Sequence, residues 1–361
     1  MINIEKILEI EPFSLNKNDK REILTPLINE ISIHHFRNSL SYRNMIDGLN
    51  VNLDGNVPIE QIPYLPVRLF KLYDLYSVDK SDIIKTLTSS GTTGQAVSKI
   101  FLDRQTASIQ TKVLTKIVSS ILGSKRLPML IVDSDAVIKN RAMFSARGAG
   151  ILGFSIFGTQ LIYILDSDMN LLVDKLQEFV KKNKDQNIFI FGFTFMIWKH
   201  LINECKRLNL KFDLSKASII HGGGWKKLIS ENIATIEFKD HLKEYLNISR
   251  VYDYYGMVEQ TGSIYIECEQ NHFHAPVYSD IIVRRPIDFS VANHNESGII
   301  QLISVLPLSY PGHSILTEDE GVIIGEDDCK CGRLGKYFKI LGRLKNAEIR
   351  GCSDTYGESI I

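Results

Sequence analysis

The sequence predicts an α/β fold with a β-rich last third, and three observations carry that expectation. Up to about Leu53, apolar residues recur at helical spacing. From about residue 83 to Asn247, short apolar strands alternate with amphipathic helices, the signature of crossover units on a mostly parallel sheet. From about residue 248 strand-like runs are separated by turns alone.

Taken in order, the opening is helical: "KREILTPLINEISIHHFRNSL" puts Ile23, Leu24, Leu27, Ile28 and Ile31 on one stripe. The next segment, "NVPIEQIPYLPVRLFKLYDL", carries Pro58, Pro63 and Pro66. Each biases its predecessor away from the helix, so the segment is expected to be largely extended. "VSKIFLD" reads as a strand. Asp103 then caps a helix whose Val113, Leu114, Ile117, Val118, Ile121 and Leu122 share a face until Gly123. Strands "LPMLIVDS" and "QLIYILD" precede a helix through "MNLLVDKLQEFVKK". Strand "IFIFGF", helix "TFMIWKHLINECKRL", strand "ASIIHGG" and a helix through "KKLISENIATIEFKDHLKEYL" follow. The last third offers strands "VYDYYG", "SIYIEC", "DIIVRRP", "GIIQLIS" and "GVIIGED".

Composition narrows the function. In 361 residues, 42 basic and 42 acidic side chains cancel, against the basic excess of a nucleic-acid surface. The charged N-terminus has no continuous apolar core, so no signal peptide is expected. No apolar run reaches spanning length; the longest candidate, from Gly148 to Leu165, is broken by glycines, Ser155, Thr159 and Gln160. Five cysteines, an odd number, fit a reduced compartment better than a disulfide framework. A cytoplasmic protein is the expectation.

Chemistry concentrates in a few stretches. In "TSSGTTG", Gly91 and Gly94 let successive amides turn inward around an anion, and Ser89, Ser90, Thr92 and Thr93 add hydroxyl donors. Lys99 follows as a point charge for a phosphate. The loop is not of the G-x-x-x-x-G-K type, and a solvated turn is its plain alternative. "IIHGGGW" ends a strand with Gly222, Gly223 and Gly224, where side chains would block a flat ligand. "YDYYGMVEQ" offers Tyr255 for stacking on a base, Gly256 for close approach, and Glu259 as a hard oxygen ligand for Mg²⁺. "SILTEDEG" presents acidic groups, read as a loop, where ribose hydroxyls need an acceptor. "ILGRLKNAEIRGCSD" adds Arg343 and Arg350.

That ordered set resembles the adenylate-forming superfamily of acyl-CoA synthetases, adenylation domains and firefly-type luciferases. "TSSGTTG", from Thr88, matches its phosphate loop, "HGGG" its adenine-side loop, and "YYGMVE" its Tyr-Gly-x-Thr-Glu motif with Val258 for Thr. "LTED" matches Tyr-x-Thr-Gly-Asp with Glu318 in the glycine's place, so Asp319 inherits the ribose role. "GRLKNAEIRG" matches the hinge, one residue short. Short length, "VRLFKLYDL", "SYPGHSILTED" and "IRGCSDTY" point further, to the acyl-protein synthetases of the bacterial bioluminescence fatty acid reductase. These are also called long-chain-fatty-acid–luciferin-component ligases.

The resemblance implies an adenylate-forming domain over 1–340 and a hinge-like strand with a short mobile tail over 341–361, without the C-terminal lid domain. It implies ATP and Mg²⁺ as cofactors, a fatty acid as substrate, and an acyl-CoA or fatty acid reductase subunit as partner. The acyl group would travel from acyl-AMP to a thiol, Cys352, whose thiolate Arg350 would favour. With the family's lid lysine not present in this sequence, activation falls to Lys99, Arg343, Lys345 or a partner residue. Two other readings stand beside it: a ligase passing the acyl group to coenzyme A or an amine, and a non-catalytic nucleotide-binding subunit.

Two further sets complete the expectations. Cys268, His272 or His274, Cys329 and Cys331 form a soft donor set suited to tetrahedral Zn²⁺, with unrelated reduced cysteines as the alternative. Such clusters occur in phenylacetate–CoA ligase-like relatives, in a structural role. Around "GAGILGFSIFG" and "FGFTFMIW", Phe193 and Trp198 are candidate acyl contacts, although core packing explains such positions equally well.

Overall fold

The computed structural model describes residues 2–49, 51, 53, 55–89, 96–139, 146–223 and 235–344. Its strands begin with β1 (Leu65–Pro66), β2 (Lys85–Thr88), β3 (Lys99–Leu102) and β4 (Leu127–Ser134). Then come β5 (Gly158–Leu165), β6 (Ile188–Phe193), β7 (Ala217–Gly222), β8 (Arg250–Tyr255) and β9 (Tyr265–Glu267). The last are β10 (Phe273–His274), β11 (Ser279–Arg284), β12 (Ser297–Ser304), β13 (Ser314–Glu326) and β14 (Lys336–Arg343). The chain divides into two compact units, one drawn from Met1–Ser89, Gln95–Ser120 and Tyr255–Glu348, the other centred on Ile121–Tyr254.

The central unit is the predicted alternation of strands and helices. Its strands lie in the order β5-β4-β6-β7-β8, all parallel. Every residue of β6 and β7 is buried, which is why these strands read as continuous apolar runs rather than alternating ones. Helices Val173–Asn183 and Thr235–Leu246 turn Leu176, Phe179, Phe238 and Leu242 onto this sheet. The predicted helix through "TFMIWKHLINECKRL" is present, but Trp198–Ile202 adopts a π-helical turn between two α-helical pieces. Inside the unit, Arg147 and Asp133 form a fully buried ion pair at 2.9 Å.

The other unit brings the helical start together with the β-rich last third. Asn16 caps helix Lys17–Asn38 by accepting from the Asn18 and Asp19 amides, and Leu24, Ile28 and Ile31 of the predicted stripe are buried. The proline-rich segment is extended apart from a short 3-10 turn, Ile59–Gln61, and one helical turn, Leu69–Leu72. Asp103 does cap the helix Arg104–Leu122, accepting from the Thr106 amide at 2.8 Å. Strands β11-β12-β13-β14-β10-β9 pair antiparallel with their neighbours in that order, and β1 joins β13 in parallel.

One expectation is corrected here. "SILTEDE" is not a loop but the first half of the long strand β13. Its Ile315 and Leu316 are buried between partners on β12 and β1, and Glu318 and Asp319, two of the acidic residues that suggested a loop, sit where Arg68 and Arg343 neutralise them. Packing and charge pairing together override the low strand preference of an acidic run.

Candidate functional site

The phosphate-loop candidate closes a hairpin. Thr88, the last residue of β2, pairs in register with Lys99, the first of β3. Above that pair, the Ser89 amide donates to the Ser98 carbonyl at 3.1 Å, and the Ser98 amide donates to the Ser89 hydroxyl at 2.9 Å. Lys99 Nζ lies 3.0 Å from Asp74, with both side chains about half exposed. Ser90, Gly91, Thr92, Thr93 and Gly94 lie outside the described residues.

Glu259 sits in the 3-10 turn Val258–Gln260, just past Gly256, and is 5% exposed. Burial raises its carboxyl above the usual range, opposed chiefly by the neighbouring Ser98 hydroxyl. A carboxylate so withdrawn from water is costly as an anion unless a cation meets it. Ser98 escaped the sequence reading, yet it touches both the hairpin closure and the environment of Glu259. Its place immediately before Lys99 was the available signal.

The ribose candidates converge. Tyr255 at the end of β8 donates its hydroxyl to Asp319 Oδ2 at 2.8 Å, and Arg343 Nε stands 3.3 Å from Asp319 Oδ1. Asp319 and Arg343 are register partners on β13 and β14, so strand pairing itself sets them side by side. Burial, then the Asp319 charge, pushes the Tyr255 phenol well above its ordinary value and keeps it a donor. Glu318, the residue that departs from the family pattern, is held 3.2 Å from Arg68.

On the central unit, Gly222 ends β7 and Gly223 follows with φ +91°, a left-handed conformation. A side chain on Gly223 would come within 2.6 Å of the Phe193 ring, which stands at the end of β6. The backbone is thus packed against an aromatic face with no room for a Cβ. Thr194 and His221 flank this turn; they were not singled out from the sequence. Trp198 packs in the core beside Phe238 and His241. Gly224 lies outside the described residues.

The cysteine cluster assembles. Donor atoms of Cys268, His274, Cys329 and Cys331 all fall within 4.8 Å of one another. Cys268 Sγ is 3.9 Å from Cys329 Sγ, and Cys331 Sγ is 3.4 Å from His274 Nε2. Zn–S bonds of about 2.3 Å require donor–donor edges of about 3.8 Å, so the set fits a tetrahedral ion. The Gln270 and Arg333 amides each point at a sulfur at 3.4 Å, as thiolates require. Burial raises all three thiols, a cost that a bound dication would reverse. Between the two candidate histidines, geometry selects His274; His272 Nδ1 lies 3.7 Å from Cys329 Sγ, outside the group of four.

The candidates beyond β14, namely Lys345, Arg350 and Cys352, lie outside the described residues. Among the described residues no helix is long and apolar enough to cross a membrane.

The fold is that of the adenylate-forming ligases. An open conformation of 2-hydroxyisobutyryl-CoA ligase, in complex with 2-HIB-AMP and CoA, superposes with a TM-score of 0.71 at 13% identity, covering 92% of this chain and 77% of that one. The same ligase in the postadenylation state with 2-HIB-AMP gives 0.70 at 13%, covering 92% and 70%. At such identity the likeness is one of fold. The chain belongs to the acyl-protein synthetase family: the family model described as "Acyl-protein synthetase, LuxE" matches residues 2–361. It is therefore a ligase that activates a fatty acid with ATP to acyl-AMP and transfers the acyl group. The long-chain-fatty-acid–luciferin-component ligase of Vibrio harveyi is 22% identical over 361 residues, which cover 95% of this chain and 89% of that protein.

Proposed function

We propose that the transfer runs through Cys352, on an adenylate made by the residues named above. A fatty-acid carboxylate oxygen attacks the α-phosphorus of ATP, and pyrophosphate leaves. Thr88, Ser89 and the 90–94 loop hold the phosphates, with Lys99 as their cation. Gly222, Gly223 and Gly224 are the glycines assigned to the base; Tyr255, next to Gly256, is assigned to stacking, and Asp319, beside Arg343, to accepting from the ribose hydroxyls. Glu259 would hold Mg²⁺, which neutralises phosphate charge when bound. The Cys352 thiolate then attacks the acyl carbon, AMP leaves, and the thioester carries the acyl group to a reductase subunit. Phe193 and Trp198 are the acyl contacts in this reading, and 341–361, a hinge-like strand and short tail after the domain over 1–340, carries Cys352.

The observation that carries this reading is the Tyr255–Asp319–Arg343 cluster, an acceptor held between a phenol and a guanidinium. Support for a reductase as the acceptor comes from the Vibrio harveyi relative, whose name is that of a luciferin-component ligase. The Cys268, His274, Cys329 and Cys331 set would hold a structural Zn²⁺, fixing the turn before β14 to the β9–β10 hairpin.

Labelled fatty acid, ATP and Mg²⁺ test the route. The protein should retain acyl label after denaturation and release it to hydroxylamine. Cys352→Ser should still make acyl-AMP and lose the hydroxylamine-labile label. Label mapping to another cysteine, or appearing only on coenzyme A, would overturn the role given to Cys352.

A further inference from the structure

At the carboxyl ends of β6 and β7 the parallel register brings Phe193 opposite Gly222, so Thr194 stands one step beyond the last pair. Its hydroxyl is 3.1 Å from the Gly222 carbonyl and 2.9 Å from His221 Nδ1. Thr194 and His221 are fully buried. A hydroxyl has one proton to give. The carbonyl can only accept, so it takes that proton, and His221 Nδ1 must carry its own hydrogen to donate to Thr194. Asp253, whose Oδ1 lies 3.7 Å from the same nitrogen, favours a hydrogen there as well. Burial holds the ring neutral, with its pKa lowered to about 3. The chain His221 → Thr194 → Gly222 carbonyl therefore has one direction.

That carbonyl is the last group before Gly223, whose φ of +91° is a conformation that glycine adopts without strain. Phe193 limits the joint from one side, and the Thr194 bond anchors the peptide entering it. We propose that Thr194 and His221 are positioning residues, which hold the glycine turn in its ATP-receiving shape without touching the reacting atoms. The inference rests on the reading above that Gly222 and Gly223 face the nucleotide. A turn already ordered loses less entropy on binding, so the network acts on nucleotide affinity and not on the chemical step.

Fatty-acid-dependent ATP–pyrophosphate exchange on the full chain tests it. Thr194→Val keeps the shape and removes the donor. It should raise KM for ATP about tenfold, the worth of one buried hydrogen bond, while kcat and KM for the fatty acid stay within about twofold. Thr194→Ser should restore the wild-type value. Should Thr194→Val fail to fold on a thermal melt, His221→Asn, which keeps a donor near the Nδ1 position, is compared with His221→Phe, which does not. Only the phenylalanine should raise KM for ATP. An unchanged KM for ATP in a folded variant overturns the inference, as does a parallel rise for both substrates. A wild type without exchange sinks the proposed adenylation site itself, and the inference with it.

Discussion

Lys99 stands at the first position of β3 with half of its side chain in solvent, paired with the exposed Asp74. An ion pair of that kind adds little to stability. Lys99→Ala should therefore leave the melting temperature unchanged and cut the ATP–pyrophosphate exchange rate about a hundredfold, as loss of a phosphate-directed charge does. Exchange at wild-type rate would return the 88–99 hairpin to the status of a surface turn. The candidates themselves, Thr88, Tyr255, Glu259 and Asp319, were legible as letters because motif order does not depend on folding. What the letters do not contain is company. Arg68 reaches Glu318 across 250 positions of sequence, and Thr194 meets His221 only because two parallel strands share a register.

At the scale of elements, the β9–β10 hairpin and the turn before β14 each supply two of the candidate donors, and β10 pairs with both β9 and β14. Neither half could hold an ion alone. Protein purified without chelator should carry about one zinc per chain by elemental analysis. Cys331→Ser should lower that stoichiometry and the melting temperature together. A folded wild type free of metal would remove the site. The sequence could name the donors, but it left His272 and His274 equal; both rings pack against Tyr337, and the approach of His274 to Cys331 separates them. Strand β13 shows the opposite case. Its acidic run reads as a turn by composition, and becomes a strand because Arg68 and Arg343 wait on either side.

For the molecule as a whole, buried histidines set the response to acid. His221 and His313 are fully buried, with pKa values lowered to about 3 by loss of water. Both therefore bind protons more weakly folded than unfolded. Their share of stability is intact above the unfolded value of about 6.5 and falls as pH drops from there toward 3. At pH 5 each costs about 2 kcal/mol. Asp133, raised to about 6 by burial against Arg147, takes up its proton more readily when folded and returns about 1 kcal/mol over the same interval. Denaturant titrations at pH 7 and pH 5 should show a net loss of about 3 kcal/mol, reduced by about two-thirds in His313→Gln. Equal stability at both pH values would refute the neutral-histidine account. By itself the sequence determined the alternation of strands and helices, the β-rich end and the adenylate-forming class, and it named the candidate donors, because periodicity and motif spacing are local properties of the chain. Only the tertiary structure decided that Asp133 and Arg147 share a dry interior, that His274 joins the cysteines, and that the glycine turn rests on Thr194 and His221. Those outcomes depend on register and on exclusion of water, which no stretch of sequence carries alone.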